Sequence, residues 1–537
     1  MERGGIFERM FQPERDSRVA ILYEHREISY AELRDETVRV AEKLNALGIS
    51  AGDRIAILLA DSPELIAAFV AIISLGAIAV PINLALRRED QLFILKDCGA
   101  RVAIVEAQAA GSLLNNAPLI DLQSILVVQR GVDDASLEIP GIAVETLATA
   151  QRVALSQFPV TGARLGDREA LPNGRASDTE TDALILYTSG STGEPKGAVH
   201  SQADIFYTNE TYCREVLKVH EGDRLFSSSR LPFAYGLGNA FTFPLLNGFT
   251  TILCRKKPTA EVISRVFSDY HPTIFFGVPV VHRRLLEHHR STRLLDTSSL
   301  RLCISAGEAL PAQLGEEWQK TFGVEVLDGI GSTEMLHMFM SNHRGNVRYG
   351  SSGRLLRGYE ARLIDHEGAP TPPSEVGNLW IRGGSAASRY WQRPEMSAET
   401  FVDGWTRTGD LYVQDEAGFW WHMGRSDDCF KPTGQWVSPI EVEGMLLRHE
   451  GVSATAVVEG FDKDGLSCVC AFVVPQEPSA TLEDDLRRHC ETALPRFKQP
   501  RRYIFVNELP YTATGKLQRF KLREQLRADR NGAVARR

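Results

Sequence analysis

Residues 187–197 read Tyr-Thr-Ser-Gly-Ser-Thr-Gly-Glu-Pro-Lys-Gly. Gly190 and Gly193 let backbone N–H groups turn into a concavity that accepts phosphate oxygens. Thr188, Ser189, Ser191 and Thr192 surround those glycines with hydroxyl donors, and Lys196 adds a positive charge. A flexible Gly/Ser linker is the plainer reading. Linkers, however, rarely follow a buried strand directly, and the apolar run 183–187 reads as one. The stretch is not a Walker A loop, which needs Gly-Lys-Ser/Thr opening a helix, whereas Lys196 lies between Pro195 and Gly197.

Four further segments carry residues suited to the same chemistry. Ser305-Ala306-Gly307-Glu308-Ala309-Leu310-Pro311 follows an expected strand at 300–304. Asp328-Gly329-Ile330-Gly331-Ser332-Thr333-Glu334 follows another at 324–327. Trp405-Thr406-Arg407-Thr408-Gly409-Asp410 places an acid after a glycine turn, and Pro510-Tyr511-Thr512-Ala513-Thr514-Gly515-Lys516 lies near the end of the chain. Each alone could be an ordinary turn. Their joint occurrence in this order is specific.

Together these segments resemble the adenylate-forming superfamily of acyl-CoA synthetases, luciferases and peptide-synthetase adenylation domains. The likeness extends over nearly the whole chain. It is nearest to the benzoate–CoA ligase branch, through Phe233-Ala234-Tyr235-Gly236-Leu237-Gly238-Asn239 and through residues 328–337, which end in His337. The resemblance implies an acid–thiol ligase that joins a small, benzoate-like carboxylic acid to ATP as an acyl-adenylate and then to coenzyme A. A carboxylate is a poor electrophile, and attack on the α-phosphorus supplies the leaving group it lacks. The site must position anionic reactants and offset their repulsion.

Roles implied by the resemblance fall on particular residues. Glu334 would hold Mg²⁺ and Thr333 would bond the α-phosphate. Gly307, Glu308 and Ala309 would wall the adenine, with Asp328 and Gly329 beside the nucleotide. Asp410 would accept both ribose hydroxyls, and Arg425 would reach ribose and phosphate. Lys516 would bridge the acyl carboxylate and the α-phosphate as charge shifts between them. Ala234, Tyr235, Gly329 and His337 would line the acyl pocket, His337 being equally readable as a structural histidine. Gly434, Phe497 and Arg501 would contact coenzyme A, and Asp427 would be the hinge that replaces one catalytic face by another between half-reactions. Val281-His282, Pro432-Thr433 and Gln499 depart from the pattern of close relatives. A carrier protein as acyl acceptor, or an alicyclic or short aliphatic acid, remains open, as does a homodimer.

The elements that must position these residues are legible in outline. Strand-like runs at 54–59, 102–105 and 124–128 alternate with helical patterns, as in parallel sheets covered by helices. A helix opens at Tyr30 and stops at Gly48. Residues 65–86 contain no charge over a span that could cross a bilayer, yet Gly76 and Pro81 divide them into a buried helix and a buried strand. Residues 161–180 read as a loop. The expected fold is α/β: a large N-terminal domain of parallel and mixed sheets with a β-barrel-like subdomain over residues 1–426, then a small mobile α+β domain over 427–537.

Length and composition agree. At 537 residues the chain exceeds what one core serves, and a net charge of -9 argues against a nucleic-acid partner. Eight scattered cysteines without ligand spacing, and an opening without a signal-peptide pattern, point to a cytoplasmic protein. Cys468 and Cys470 share one face of an expected strand as a core pair, and Arg255-Lys256-Lys257 reads as a solvated turn.

Overall fold

Local signals account for where the elements begin and end. Ser29 caps the helix Tyr30–Ala46 in a reciprocal box with Glu32, and Ser62 with Pro63 starts the helix Pro63–Ser74. After Glu64 the second helix is apolar on every side and buried from Leu65 to Ile73. Gly76, at φ +73°, turns the chain into the strand Ile78–Pro81. No helix among the described residues is long and apolar enough to cross a membrane. In this computed structural model the described residues are 4–106, 122–129, 143–148, 179–189, 194–365, 367–372, 374–426, 428–432, 435, 437–462, 466–511 and 517–534. Most of the loop expected at 161–180 lies outside them.

Two compact units emerge. The first comprises Met1–Tyr349, Leu355–Glu360 and Arg382–Thr406, and the second Gly350–Arg354, Ala361–Ile381 and Arg407–Arg537. The first unit holds an eight-stranded sheet in which Arg54–Leu58 pairs in parallel with Ile78–Pro81 and Val102–Glu106, and in which Asp182–Ser189 and Pro195–Ser201 form an antiparallel hairpin. A nine-stranded sheet runs through Ile274–Gly277, Leu302–Ser305 and Val326–Gly331, parallel to one another, and turns antiparallel at Met338–Ser341. Helices against both sheets bury apolar residues such as Phe69, Phe241, Phe267 and Trp318.

The second unit holds most of a five-stranded sheet and a three-stranded one. In the latter, Val452–Phe461 pairs with Ser467–Pro475, which is buried on both faces. Period-two alternation sends Val469, Ala471 and Val473 to one core and Cys468, Cys470 and Phe472 to the other. The sulfurs of Cys468 and Cys470 lie 3.8 Å apart in that second core, the expected packed pair.

Two expectations about local structure are corrected. The strand expected to end at 327 continues through Gly331, because Gly329 and Gly331 leave room for Met340 and His337 of the antiparallel neighbour: a Cβ on Gly329 would stand 2.5 Å from the Met340 carbonyl oxygen. Asp410 does not follow a turn. It lies within the strand Trp405–Gln414, where Gly409 at φ +73° re-aims the chain without ending the pairing.

Candidate active site

The Ser/Thr/Gly run connects the two strands of the hairpin. Thr188 stands opposite Lys196 and Ser189 opposite Pro195. Gly190, Ser191, Thr192 and Gly193 lie outside the described residues, and of Ser189 only the backbone is described. Lys196 Nζ donates to the Tyr390 hydroxyl at 2.6 Å, and that hydroxyl donates to Glu334 Oε1 at 2.6 Å. Lys196 Nζ is itself 3.3 Å from the same carboxylate oxygen and 4.1 Å from the centre of the Tyr390 ring. Burial alone would push the Glu334 carboxyl up, but the Lys196 charge and the Tyr390 hydrogen bond together hold it below its ordinary value. Lys196 and Glu334, distant in sequence, are thus brought together around an ionised carboxylate.

Thr333 and Glu334 occupy a short 3₁₀ turn, Thr333–Met335, capped by Ser332, which accepts from the Met335 N–H. The residue that follows the turn, Leu336, adopts φ +61°. His200, on the same hairpin strand as Lys196, reaches this turn through Nε2, 2.8 Å from the Thr333 carbonyl oxygen. Its Nδ1 is 2.7 Å from Asp204 Oδ2.

A second row of residues lines up at the carboxyl ends of the parallel strands, where open α/β sheets commonly bind ligands. Gly277, Ser305 and Asp328 are register neighbours. Gly307, at φ +90°, Glu308 and Ala309 follow one residue after Ser305, and Leu310 donates its N–H to Asp328 Oδ2 at 3.3 Å. Tyr235 joins the row by donating to the Gly277 carbonyl at 3.3 Å.

Of the candidate acyl residues, Tyr235 packs beside His337. Its ring lies 5.7 Å from Tyr235, 5.1 Å from Tyr212 and 4.6 Å from Phe243, centre to centre. Nε2 is 3.1 Å from Asn239 Oδ1. Gly238 must be small, since a Cβ there would stand 2.5 Å from His337 Cδ2. Ala234 is buried and starts the short helix Ala234–Leu237. Burial lowers His337 to about 3, so it is neutral at physiological pH. His337 is therefore a neutral wall of an aromatic cluster. His282 is fully buried, donates through Nε2 to the Ile304 carbonyl oxygen at 3.1 Å, and is lowered by burial to about 4.

In the second unit Asp410 and Arg425 are register partners on adjacent strands. Arg425 Nη1 donates to Asp410 Oδ1 at 3.2 Å, and His422 Nε2 lies 3.5 Å from the same oxygen. Phe497 is half-buried against the core around Val442 and Leu486, and Lys498 binds Glu441 at 2.6 Å. Arg501 is exposed and 3.1 Å from Asp462. Asp427, Gly434 and Lys516 lie outside the described residues.

His200, Asp204, Tyr390, Tyr212 and Asn239 escaped sequence reasoning. Ser201-x-x-Asp204 was readable as a helix start, and it does cap the helix Gln202–Thr208, but nothing in sequence links it to Thr333. Tyr390 sits on a two-residue strand, and a strand that short leaves no pattern.

Comparison with known proteins agrees with this geometry. Residues 7–391 match the AMP-binding enzyme family, and residues 441–516 match the AMP-binding enzyme C-terminal domain. A benzoate–CoA ligase of Thauera aromatica is 40% identical over 89% of this chain and 86% of its own. A 4-hydroxybenzoate–CoA/benzoate–CoA ligase of Rhodopseudomonas palustris is 35% identical over 95% and 91%. Among solved structures, an anthranilate CoA ligase in complex with anthranoyl-AMP superposes with a TM-score of 0.87 at 35% identity, covering 99% of both chains. A benzoate CoA ligase from Burkholderia xenovorans LB400 gives 0.82 at 35%, covering 97% and 99%.

Proposed function

The chain belongs to the AMP-binding enzyme family, in its benzoate–CoA ligase branch, and from that premise we propose that it activates a small aromatic carboxylic acid with ATP and passes the acyl group to coenzyme A. The acid's carboxylate oxygen attacks the α-phosphorus of ATP and pyrophosphate leaves. The thiol of coenzyme A then attacks the acyl carbon of the mixed anhydride, forming the thioester and releasing AMP. The observation that carries this reading is the meeting of Lys196 with Glu334 through Tyr390, a cation and an ionised carboxylate held beside the Ser/Thr hairpin.

Each group then has a task. The hairpin N–H groups and hydroxyls and Lys196 hold phosphate oxygens, and Thr333 holds the α-phosphate. Gly307, Glu308 and Ala309, beside Asp328 and Gly329, border the base. Asp410 takes the ribose hydroxyls with its two acceptor oxygens, with Arg425 beside it. Glu334 fits Mg²⁺: its carboxylate is ionised, and magnesium commonly takes one or two carboxylates and completes its shell with phosphate and water oxygens. Such an ion would neutralise charge on the phosphates.

Ala234, Tyr235, Gly329 and His337 bound the acyl pocket, where flat rings and a neutral imidazole favour an aromatic acid over a chain. Lys516 supplies the cation for adenylation. Asp427, which falls between the two family-matched segments, is the hinge that removes Lys516 before the thiol arrives past Gly434, with Phe497 and Arg501 toward the nucleotide of coenzyme A. Residues 427–537 act as the mobile part. Eight free cysteines suit a reducing cytoplasm.

Pyrophosphate release measured over benzoate, hydroxybenzoates, aminobenzoates, cyclohexane carboxylate and short fatty acids tests the substrate class. Benzoate or a substituted benzoate is expected to lead, and a straight-chain acid in front would overturn the aryl assignment. In the same assay Lys516→Ala should abolish adenylate formation while thioester formation from supplied adenylate largely survives. Equal loss in both half-reactions would remove Lys516 from its role.

A further inference from the structure

The turn that carries Thr333 and Glu334 is held by its backbone. Three consecutive carbonyls each receive a donor from elsewhere in the chain: Thr333 from His200 Nε2 at 2.8 Å, Glu334 from the Ala387 N–H at 2.7 Å, and Met335 from the Ser385 hydroxyl at 2.8 Å. Of the three donors, only His200 lies on the strand Pro195–Ser201 that also carries Lys196. Residues two apart on a strand share a face, so Lys196, Ala198 and His200 point the same way. Ala198 packs against Tyr390, and Tyr390 bridges Lys196 to Glu334. That one face therefore grips the turn at two points, its Glu334 side chain and its Thr333 carbonyl.

His200 is 1% exposed, too enclosed to serve as a solvent-facing acid or base. A carbonyl oxygen can only accept, so the contact to Thr333 takes an N–H on Nε2, while Nδ1 faces the Asp204 carboxyl. Asp204 is fixed in turn, accepting from the Ser201 N–H at 3.3 Å and the Ser201 hydroxyl at 2.7 Å. The ring is thus aimed by one partner at the other, the arrangement by which an outer group orients a reacting one.

We propose that His200, aimed by Asp204, is a positioning residue for adenylation: it fixes the Thr333 carbonyl to the phosphate-hairpin strand, so that Thr333 and Glu334 meet the α-phosphate and its metal in register with Lys196. This rests on the roles proposed above for Thr333 and Glu334. A displacement of about 1 Å at such a turn can cost about a hundredfold in rate.

Two substitutions separate the bonds of the ring. In His200→Gln the side-chain amide reaches the place of Nε2 and can still donate to the Thr333 carbonyl. In His200→Asn it reaches only the place of Nδ1 and keeps Asp204. With benzoate, ATP–pyrophosphate exchange is expected to fall about a hundredfold in the Asn variant and less than tenfold in the Gln variant, with thioester formation from supplied benzoyl-adenylate changed little in either. Calorimetric binding of a magnesium complex of a non-hydrolysable ATP analogue should weaken in Asn and not in Gln. Equal exchange in the two variants would overturn the proposal. Should the Asn variant fail to fold, Asp204→Asn replaces it: a loss in exchange alone supports the proposal, and no loss overturns it. Glu334→Gln separates the premises. If it leaves exchange intact, the reading of the turn fails; if it abolishes exchange while the His200 pair behaves alike, only the role of His200 fails.

Discussion

Asp328 and Asp410 are the same residue type, both buried, at 2% and 9% exposure, and their carboxyls are driven in opposite directions. Asp410 would be lifted by burial, but His422 and Arg425 hold it below its ordinary value. Asp328 is raised well above, because burial dominates and its hydrogen-bonding neighbours are only the backbone N–H groups of Leu310 and Gly329 and the Ser305 hydroxyl. Dipoles of neutral groups do not replace a counter-charge in a low-dielectric interior. Asp410 is therefore an acceptor-only carboxylate, suited to a pair of hydroxyls. Asp328, whose carboxyl burial pushes up, holds the Gly307–Leu310 loop on the sheet by accepting the Leu310 N–H.

Removing charge at each position breaks the comparison most sharply. Asp410→Asn is expected to weaken AMP and ATP binding by about tenfold to a hundredfold, the worth of one or two charge-assisted hydrogen bonds, as read by calorimetry. Unchanged affinity would show that Asp410 does not meet the ribose. His282 extends the comparison to a buried base, lowered from 6.5 to about 4 by burial. The unfolded chain takes up a proton below its pKa of 6.5 and the folded one does not, so this contribution is complete above pH 6.5 and is lost as pH falls toward 4. His282→Phe, packed against Trp318 and Phe275, should flatten the melting temperature between pH 6.5 and 4 by an amount equivalent to roughly 3 kcal/mol. A variant that loses stability with acid as steeply as the parent would contradict the buried neutral imidazole.

The smallest effect is expected at Asp328→Asn. An amide keeps the shape of the carboxyl and can still accept the Leu310 N–H, so nucleotide affinity should hold. The folded carboxyl has a raised pKa, so the parent loses stability as pH rises above about 3.9, the value of an unfolded aspartate. The variant should accordingly gain on the parent as pH climbs above about 4 in parallel melts. A variant that loses ground over that range would mean that Asp328 is ionised in the fold.

Much of this was readable from residues alone, and what was readable was local. A strand before a Ser/Thr/Gly run, a Ser-x-x-Glu helix start and a glycine stop each depend on neighbours within a few positions, where sterics and hydrogen bonding act without help from the rest of the chain. The order of five such segments was enough to place the chain in its family. Asp410 was found as an acid, but the turn expected before it is strand, since whether Gly409 ends the pairing depends on the partner strand, Trp420–Arg425.

Sequence by itself determined which chemical groups are present, in what order, and the periodicities that fold them into strands and helices. Only the tertiary structure decided which of those groups are charged and which are held. Lys196 finds Glu334 through a tyrosine from a third segment, Thr333 is anchored by a histidine from the hairpin, and the Asp328 carboxyl is pushed up by its burial. Ionisation and orientation depend on distances of a few ångströms between residues far apart along the chain, and no pattern of neighbours in sequence encodes those distances.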